Sequence, residues 1–342
     1  MEVDYIIVGQ GFAGSFFAAE LLLNHKTFAI IDADKNKASS IAAGVYNPVI
    51  LKRFTPIWEA DEQIDFFIEK MKVLEEFFQT KFLIEEPILR IIDNPMERKT
   101  WVRKARNKLK YFLDSEIIEE KANIKSAFGL GKVLQSGRIH STHFLSTLKN
   151  HCKDFILNED FYYSEIKFDE KQIKYYNITA KYIVFCDGMS MVNNPFFNTI
   201  PIKTNKGECL TAILEKPLEK FIFKKKYFLF QETENQYYIG GTNDSEDFSI
   251  DCTEKIKQEL IQSVAEIYTS NITIIEQKAA IRPTTFDRRP IVGKHRNHEN
   301  IFLINGLGTR GALLGAKCAQ SLFENIEYQK PIQKEIDVNR FY

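Results

Sequence analysis

Three glycines near the start of the chain have the spacing that lets a backbone approach a pyrophosphate. Gly9, Gly11 and Gly14 follow one apolar run and precede another. In this arrangement the first glycine permits a tight turn, the second brings the main chain close to the phosphate, and the third lets a helix lie against the strand. The unpaired N–H groups and the positive dipole end of that helix would bind the anion without a basic side chain. An ordinary strand-to-helix loop is the alternative.

A carboxylate further along supports dinucleotide binding. The second apolar run, residues 28–31, ends at Asp32, 18 residues beyond Gly14, close to where a ribose-binding acid follows such glycines. An acid there can accept hydrogen bonds from both ribose hydroxyls. Asp34 is the competing carboxylate, but it lies beyond the apolar run, and we expect it to face solvent. The strands, glycines, helix and acid together predict a dinucleotide site.

A second glycine-rich helix start lies near the other end of the chain. Residues 301–305 predict a strand, and residues 306–311 open a predicted helix with three glycines. Because strand, glycines and helix occur twice, we expect both ends to clamp one extended cofactor, although a flexible loop could carry the same residues. The small, uncharged residues 38–45 predict backbone that lies along the cofactor, with a tight turn under the sheet as the alternative.

Hydrophobic periodicity predicts the elements around these segments. Residues 3–8 and 178–188 predict strands, the latter a buried strand whose carboxyl end, at Gly188, faces a ligand crevice. The predicted helices are 15–24, 57–78, a basic and solvent-facing 96–113, 141–148 and 253–268. Alternating strands are predicted over 155–176, an antiparallel sheet over 200–242, and short strands over 83–92 and 273–276.

The composition excludes several other classes. In 342 residues, 46 Lys plus Arg balance 46 Asp plus Glu, so net charge predicts no nucleic-acid surface, and Lys224 to Lys226 is interpreted as a solvated turn. No apolar stretch approaches the ~18 residues of a spanning helix, which favours a cytoplasmic protein with no membrane partner. The five scattered cysteines indicate core thiols. His140 and His143 indicate a helix start, and no metal is predicted.

Together these residues resemble the D-amino-acid oxidase superfamily of FAD enzymes, in particular glycine oxidase and the oxidase half of the bifunctional enzyme that modifies the tRNA wobble uridine. The resemblance spans essentially the whole chain. Its motifs are Gly9-x-Gly11-x-x-Gly14 with Asp32, Ser39-Ser40-x-Ala42-Ala43-Gly44, the strand to Gly188, Gly240-Gly241-Thr242, Arg282-Pro283-x-x-x-Asp287-x-x-Pro290-x-x-Gly293, and Gly306-x-Gly308-Thr309-Arg310-Gly311. Two features depart from the family: Cys186-Asp187 stands where small apolar residues are usual, and no methyltransferase half is present.

The resemblance implies an α/β fold class: a Rossmann-like FAD-binding domain with an interleaved antiparallel-sheet (α+β) substrate domain. We expect the FAD-binding domain to comprise residues 1–78, 137–195 and 278–342, and the substrate domain 79–136 and 196–277. It also implies noncovalent FAD. The residues expected to bind it are Gly9, Gly11, Phe12, Ala13, Gly14, Asp32, Ser39, Ser40, Ala43, Gly44, Val45, Gly188, Gly306, Gly308, Thr309, Arg310 and Gly311.

The activity that the resemblance implies is oxidation of the C–N bond of a carboxylate-bearing amine or amino acid by hydride transfer to flavin N5. Arg282 is the expected carboxylate ligand, because its planar donors match a carboxylate in two bonds. A structural salt bridge from Arg282 to Asp287 is the alternative. Tyr46 and Tyr227 are candidate pocket walls. Oxygen or another acceptor would reoxidise the flavin.

Two other functions stay open at the level of sequence. One is a tRNA-modifying oxidase acting on carboxymethylaminomethyl-uridine, and the missing methyltransferase half weakens it. The other is a flavin-binding protein without turnover, against which the intact Arg282 argues.

Overall fold

The computed structural model describes residues 1–35, 38–169 and 172–342, and its helices and strands are as follows. The helices are α1 (Phe12–Leu23), α2 (Ala60–Phe78), α3 (Pro95–Ala105), α4 (Ser141–His151), α5 (Glu254–Ala265) and α6 (Gly311–Tyr328). The strands are β1 (Glu2–Val8), β2 (Phe28–Ile31), β3 (Val45–Tyr46), β4 (Val49–Ile50), β5 (Thr55–Pro56), β6 (Leu83–Ile84), β7 (Ile88–Ile91), β8 (Leu113–Ile118), β9 (Leu130–Val133), β10 (Gly137–Ile139), β11 (Ile156–Leu157), β12 (Ile166–Asp169), β13 (Gln172–Tyr175), β14 (Ile178–Phe185), β15 (Ile202–Leu214), β16 (Ile222–Lys224), β17 (Phe228–Gln231), β18 (Tyr237–Gly240), β19 (Ile272–Thr285), β20 (Ile291–Lys294) and β21 (Ile301–Asn305).

The first large sheet, called here the dinucleotide sheet, has a parallel centre. Its strands lie in the order β11, β2, β1, β14 and β21, all parallel, with β20 antiparallel beyond β21. Strand β13 pairs antiparallel with the first half of β14, and β12 pairs antiparallel with β13. Val8 pairs with Phe185, so the carboxyl ends of β1 and β14 meet at one edge. A ligand crevice is expected at that edge in a doubly wound sheet.

The second large sheet, called here the substrate sheet, is mostly antiparallel. Its strand order is β19, β15, β18, β17, β16, β7, β9 and β8, and only β16 and β7 run parallel. Its strands come from two separate stretches of chain, 88–133 and 202–285. The two sheets confirm the predicted α/β fold class. The predicted domain boundary after residue 277 falls inside β19, and the division into domains stays a prediction.

Most sequence-predicted elements are confirmed within a few residues, but two differ. Helix α3 ends at Ala105 instead of near 113, because the chain turns to bury Leu109 and Phe112 before β8. It is also not wholly solvent-facing, since Trp101 is fully buried. Strand β19 extends to Thr285 rather than stopping at 276, because it pairs with β15 along that strand's whole length.

The structure also bears on the predictions for His140, for the cysteines and for membrane-spanning helices. His140 caps the start of α4 by accepting a hydrogen bond from the His143 backbone, which confirms the helix start. Four cysteines are buried, whereas Cys252 is exposed, so the prediction of core thiols is wrong for Cys252. No helix in the described part of the chain is long and apolar enough to cross a membrane.

Candidate active site

A cavity of about 1380 Å³ is lined by both large sheets and the loops between them. At one end it is bounded by the carboxyl ends of β1, β2 and β14, and at the other by Arg282 on β19. Most of the predicted cofactor-binding residues line it: Gly9, Gly11, Phe12, Ala13, Asp32, Ser39, Ala43, Gly44, Val45, Gly188, Gly306, Gly308, Thr309, Arg310 and Gly311.

The first glycine-rich turn brings helix α1 directly onto strand β1. A Cβ on Gly14 would lie 1.9 Å from the carbonyl oxygen of Gly9, so only glycine permits this packing. The helix begins after Gly11, which offers no side-chain cap. The Phe12 N–H donates instead to Ser39 Oγ at 2.9 Å. The N-terminal N–H groups of α1 and the Ser39 hydroxyl therefore form a polar cradle that suits an anion.

Asp32 lies where a ribose-binding carboxylate is expected. Its Oδ2 accepts from the Gln10 backbone at 3.2 Å, and its Oδ1 accepts from the Asp34 backbone at 3.1 Å. Burial raises the pKa of Asp32, against the opposing effect of these hydrogen bonds. Asp34 is exposed and lies 3.5 Å from Lys149. The structure thus separates the two competing carboxylates: Asp32 lines the cavity, and Asp34 faces solvent as expected.

The second glycine-rich segment reaches the same cavity from β21. Residues Gly308–Arg310 form a single 3₁₀ turn that leads into α6. Helix α6 packs against α1, and a Cβ on Gly311 would lie 3.0 Å from the Phe12 ring. The starts of α1 and α6 therefore lie side by side, which agrees with two backbone approaches to one extended cofactor.

Asp187, the departure from the family pattern, joins two strand ends. It is buried, and it accepts from Asn194 Nδ2 at 2.9 Å, Asn305 Nδ2 at 3.0 Å and Tyr163 Oη at 3.2 Å. Burial raises the pKa of Asp187 to about 6, although the three donors oppose the shift. Because Asp187 follows β14 and Asn305 ends β21, this network fixes the edge of the sheet at which the cavity opens.

Arg282 places its guanidinium in the cavity without an acidic partner. Nη1 and Nη2 donate to the Thr242 carbonyl at 3.1 and 3.2 Å, and Nη1 also donates to Asn243 Oδ1 at 3.2 Å. A Cβ on Gly207 would lie 1.7 Å from Nη2, so the missing side chain there makes room for the guanidinium. Burial lowers the pKa of Arg282. The predicted alternative is wrong: Asp287 pairs with Arg340 at 3.1 Å, and within the described residues Arg282 forms no ion pair.

The two tyrosines predicted as pocket walls lie elsewhere. Tyr46 is 3% exposed and packs its ring 5.1 Å from that of Phe67 in the core. Tyr227 hydrogen-bonds to Glu259 of α5, on the opposite face of the substrate sheet. These placements correct the prediction for both residues. Gly14, Ser40, Tyr46 and Tyr227 are all missing from the described residues that line the cavity.

Sequence reasoning missed three side chains that do line the cavity. Tyr238, Phe228 and Lys224 belong to adjacent strands of the substrate sheet. The interpretation of Lys224 as part of a solvated turn is wrong, because Lys224 is partly buried at the end of β16 and lines the cavity. Its Nζ lies 4.1 Å from the centre of the Phe228 ring. The period-2 alternation of the strands could have separated Phe228 and Tyr238 from their outward-facing neighbours, but it gives no sign of which face meets the cofactor.

Basic side chains predominate in the cavity beyond the dinucleotide end. They come from the turn after β4, from β15, β16 and β19, and from the segments after β19 and β21. The set comprises Lys52, Arg53, Lys203, Lys224, Arg282, Arg288, Arg289 and Arg310. The positive field of such a lining favours anionic ligands.

A dinucleotide crevice that opens onto the face of an antiparallel sheet is an arrangement suited to a cofactor-dependent oxidoreductase, in which a substrate can meet a bound cofactor. The family model described as FAD dependent oxidoreductase (DAO) matches residues 4–324. The chain therefore belongs to the DAO family of FAD-dependent oxidoreductases, and it is an FAD enzyme. The cavity suits FAD, because two helix starts and the carboxylate of Asp32 line its length.

Solved structures share this fold along nearly the whole chain. Glycine oxidase from Geobacillus kaustophilus has 18% sequence identity and a TM-score of 0.81, and the match covers 99% of this chain and 98% of that one. Iminodiacetate oxidase from Chelativorans sp. BNC1 has 16% identity and a TM-score of 0.82, with 98% of both chains covered. L-proline dehydrogenase from P. horikoshii has 15% identity and a TM-score of 0.72, covering 99% of this chain and 98% of that one.

Proposed function

We propose that this enzyme oxidises the C–N bond of a small amine or amino acid that carries a carboxylate. The observation that supports this most directly is the guanidinium of Arg282, which lines the cavity and forms no ion pair with any described residue. The family and the solved neighbours named for amino acids and amines support this reaction class.

A carboxylate is the ligand that the Arg282 environment favours. The Thr242 carbonyl and Asn243 hold one edge of the guanidinium, which orients the remaining donors. A planar fork held in this way matches a carboxylate through two parallel hydrogen bonds. Because burial penalises the unpaired cation, a bound carboxylate would also offset part of that desolvation cost.

The chain's own contribution to catalysis would then be mainly orientation. FAD, when bound, supplies a hydride acceptor. Arg282 would fix the substrate by its carboxylate, while Tyr238 and Phe228 would exclude water from the reacting carbon. Holding the reacting groups in position in this way can supply a large part of the rate enhancement.

For the cofactor, we propose noncovalent binding with the pyrophosphate at the start of α1, the adenosine ribose on Asp32, and the start of α6 beside the isoalloxazine ring. A helix N-terminus there would stabilise negative charge on the reduced ring. Acid precipitation should release the flavin into the supernatant. Flavin that stays in the pellet would show covalent attachment instead.

The proposed reaction is tested by anaerobic bleaching of the bound flavin with matched amines. Alanine is compared with ethylamine, and N-methylglycine with dimethylamine, so that each pair differs only in the carboxylate. We expect the carboxylated member to bleach the flavin at least tenfold faster. Equal rates within pairs, or no bleaching by any carboxylated amine, would contradict the proposal. The comparisons do not support the tRNA alternative, and we do not propose it.

A further inference from the structure

Lys224 and Arg282 lie on the same face of the substrate sheet. Residues directly opposite on neighbouring strands share a face, as do residues two apart on one strand. The registers place Lys224 opposite Phe228, and Phe228 opposite Gly240. Gly240 is in turn opposite Cys209, which is opposite Lys278, four residues before Arg282 on β19. Both cations therefore face the cavity, which agrees with their position in its lining.

The strand positions of the two cations leave room for a small molecule between them. The Arg282 guanidinium lies over Gly207 of β15 and close to Gly241, which follows β18. Strand β16, which carries Lys224, is two strands away from β18 and three from β15, a separation of ~10–14 Å between strands at ~4.8 Å per interstrand step. Two charge-assisted hydrogen bonds of about 2.8 Å each would leave roughly 4–9 Å between two acceptors. That range corresponds to about three to six bonds at ~1.5 Å per bond, which includes the span between the carboxylates of a small amino dicarboxylic acid.

The surroundings of Lys224 leave its charge uncompensated. Its Nζ donates to the Lys226 carbonyl at 2.7 Å and lies over the Phe228 ring, and in the described chain no carboxylate pairs with it. Burial and the neighbouring Arg90 lower the pKa of Lys224 to about 7. Arg90 is itself held by Asp93 and Glu97.

Two further charged groups face this region, and neither compensates Lys224. Arg138 stacks over Phe230 at 4.8 Å and is paired with Glu86. Besides burial, the charge of Glu232 contributes to raising the pKa values of Tyr238 and Cys209. The cation on β16 thus resembles that on β19, because each is partly buried and neither has an anionic partner among the described residues.

We propose that the preferred substrate is an amine with two carboxylates, one bound by Arg282 and the other by Lys224, with Tyr238 and Phe228 between them. This inference rests on the proposed function, because it extends the substrate class to a second anionic group. It makes Lys224 a substrate-binding residue that determines specificity.

The first test compares acidic amino acids with their neutral isosteres. Aspartate is set against asparagine, and glutamate against glutamine, each as both enantiomers, in anaerobic flavin reduction by the holoenzyme. We expect kred/Kd, the rate constant of flavin reduction divided by the substrate Kd, to be at least tenfold higher for one acidic amino acid than for its amide. Lys224→Met should abolish that preference by slowing the acidic member at least tenfold more than its amide, and Lys224→Arg should retain most of it.

Lys225→Met is the matched control, because it removes the same charge from the adjacent residue. Lys225 pairs with Glu266, the residue directly after α5, and is missing from the described residues that line the cavity. It should leave the acidic preference unchanged. Flavin content of every variant, measured by absorbance, shows whether the site still folds, and Lys224→Gln replaces Lys224→Met if the latter loses flavin.

The second test measures proton uptake on binding. At pH 8 a lysine with a pKa near 7 is mostly neutral, and a bound carboxylate raises its pKa, so binding should take up close to one proton. At pH 6 the lysine is already charged and uptake should vanish. Calorimetry of the preferred acidic substrate analogue in buffers of different ionisation enthalpy gives the number of protons taken up per molecule bound. Lys224→Arg should show no uptake at either pH.

The outcomes separate this inference from the proposed function. If carboxylated amines bleach the flavin but acidic and amide members react equally, or if the acidic preference survives in Lys224→Met, only the second carboxylate site is overturned. If no carboxylated amine bleaches the flavin, the proposed function itself fails. An acidic preference lost in Lys224→Met and accompanied by proton uptake at pH 8 supports the inference.

Discussion

The two ends of the cavity are constructed in different ways. At the dinucleotide end, backbone N–H groups at two helix starts and the carboxylate of Asp32 face the cavity, and each belongs to a short segment contiguous in sequence. At the substrate end, the face is built from side chains on β16, β17, β18 and β19, brought together by register. A backbone site depends on local glycines, whereas a side-chain site depends on which strands become neighbours.

Because the dinucleotide end is built from closely packed backbone, we expect one added methyl group there to have a larger effect than any of the other substitutions below. Gly14→Ala places a Cβ 1.9 Å from the Gly9 carbonyl oxygen, and the backbone must move. We expect FAD affinity to fall by about 3 kcal/mol or more, over a hundredfold, as measured by titrating apoprotein with FAD.

Gly311→Ala is the control for that change. It also adds a methyl group at a helix start, but meets only the edge of the Phe12 ring at 3.0 Å. We expect a loss of about 1 kcal/mol or less. Similar losses for the two variants would mean that the packing of α1 on β1 does not create the site.

At the substrate end the largest effect should come from Arg282→Lys, which keeps the charge but loses the two-bond fork. We expect flavin reduction by the best carboxylated amine to fall by about a hundredfold, about 2.7 kcal/mol. Flavin content should stay normal, and the slow rate with an amine that lacks the carboxylate should hardly change. A uniform loss for both amines, with a lower melting temperature, would instead indicate a structural role.

Asp32→Ala examines the carboxylate that we propose for the ribose at the dinucleotide end. Loss of charge-assisted hydrogen bonds to a ribose should weaken FAD binding by about 2 kcal/mol. Asp34→Ala should change it by less than about 0.5 kcal/mol, because Asp34 is exposed. FAD titration of the two apoproteins measures both, and equal effects would show that Asp32 is the wrong carboxylate.

The smallest effect should separate the two faces of the substrate sheet. Tyr227→Phe removes a hydrogen bond to Glu259 and should lower the free energy of unfolding by about 1 kcal/mol without changing flavin reduction. Tyr238→Phe removes a hydroxyl on the cavity face and should slow reduction about fivefold, the equivalent of ~1 kcal/mol. Single-turnover reduction and thermal unfolding measure the two effects. The reverse pattern would show that Tyr227, and not Tyr238, lies on the face of the substrate sheet that meets the cavity.

The sequence by itself determined the dinucleotide end. The spacing of Gly9, Gly11 and Gly14 and the position of Asp32 could be recognised because each requirement is local: a turn, a close approach, a helix start and a strand end. The predicted lengths of elements were less accurate where strand pairing decided them. Strand β19 is an example, because polar residues on its cavity face hide the alternation of apolar and polar residues.

Only the tertiary structure decided the substrate end. It showed that Asp287 pairs with Arg340, so that Arg282 has no acidic partner among the described residues. It also placed Tyr46 in the core and Tyr227 on the far face, and brought Tyr238 and Lys224 into the cavity. The physical reason is that a strand's alternation shows which residues share a face, while the partner of each face is set by long-range strand pairing that no local pattern contains.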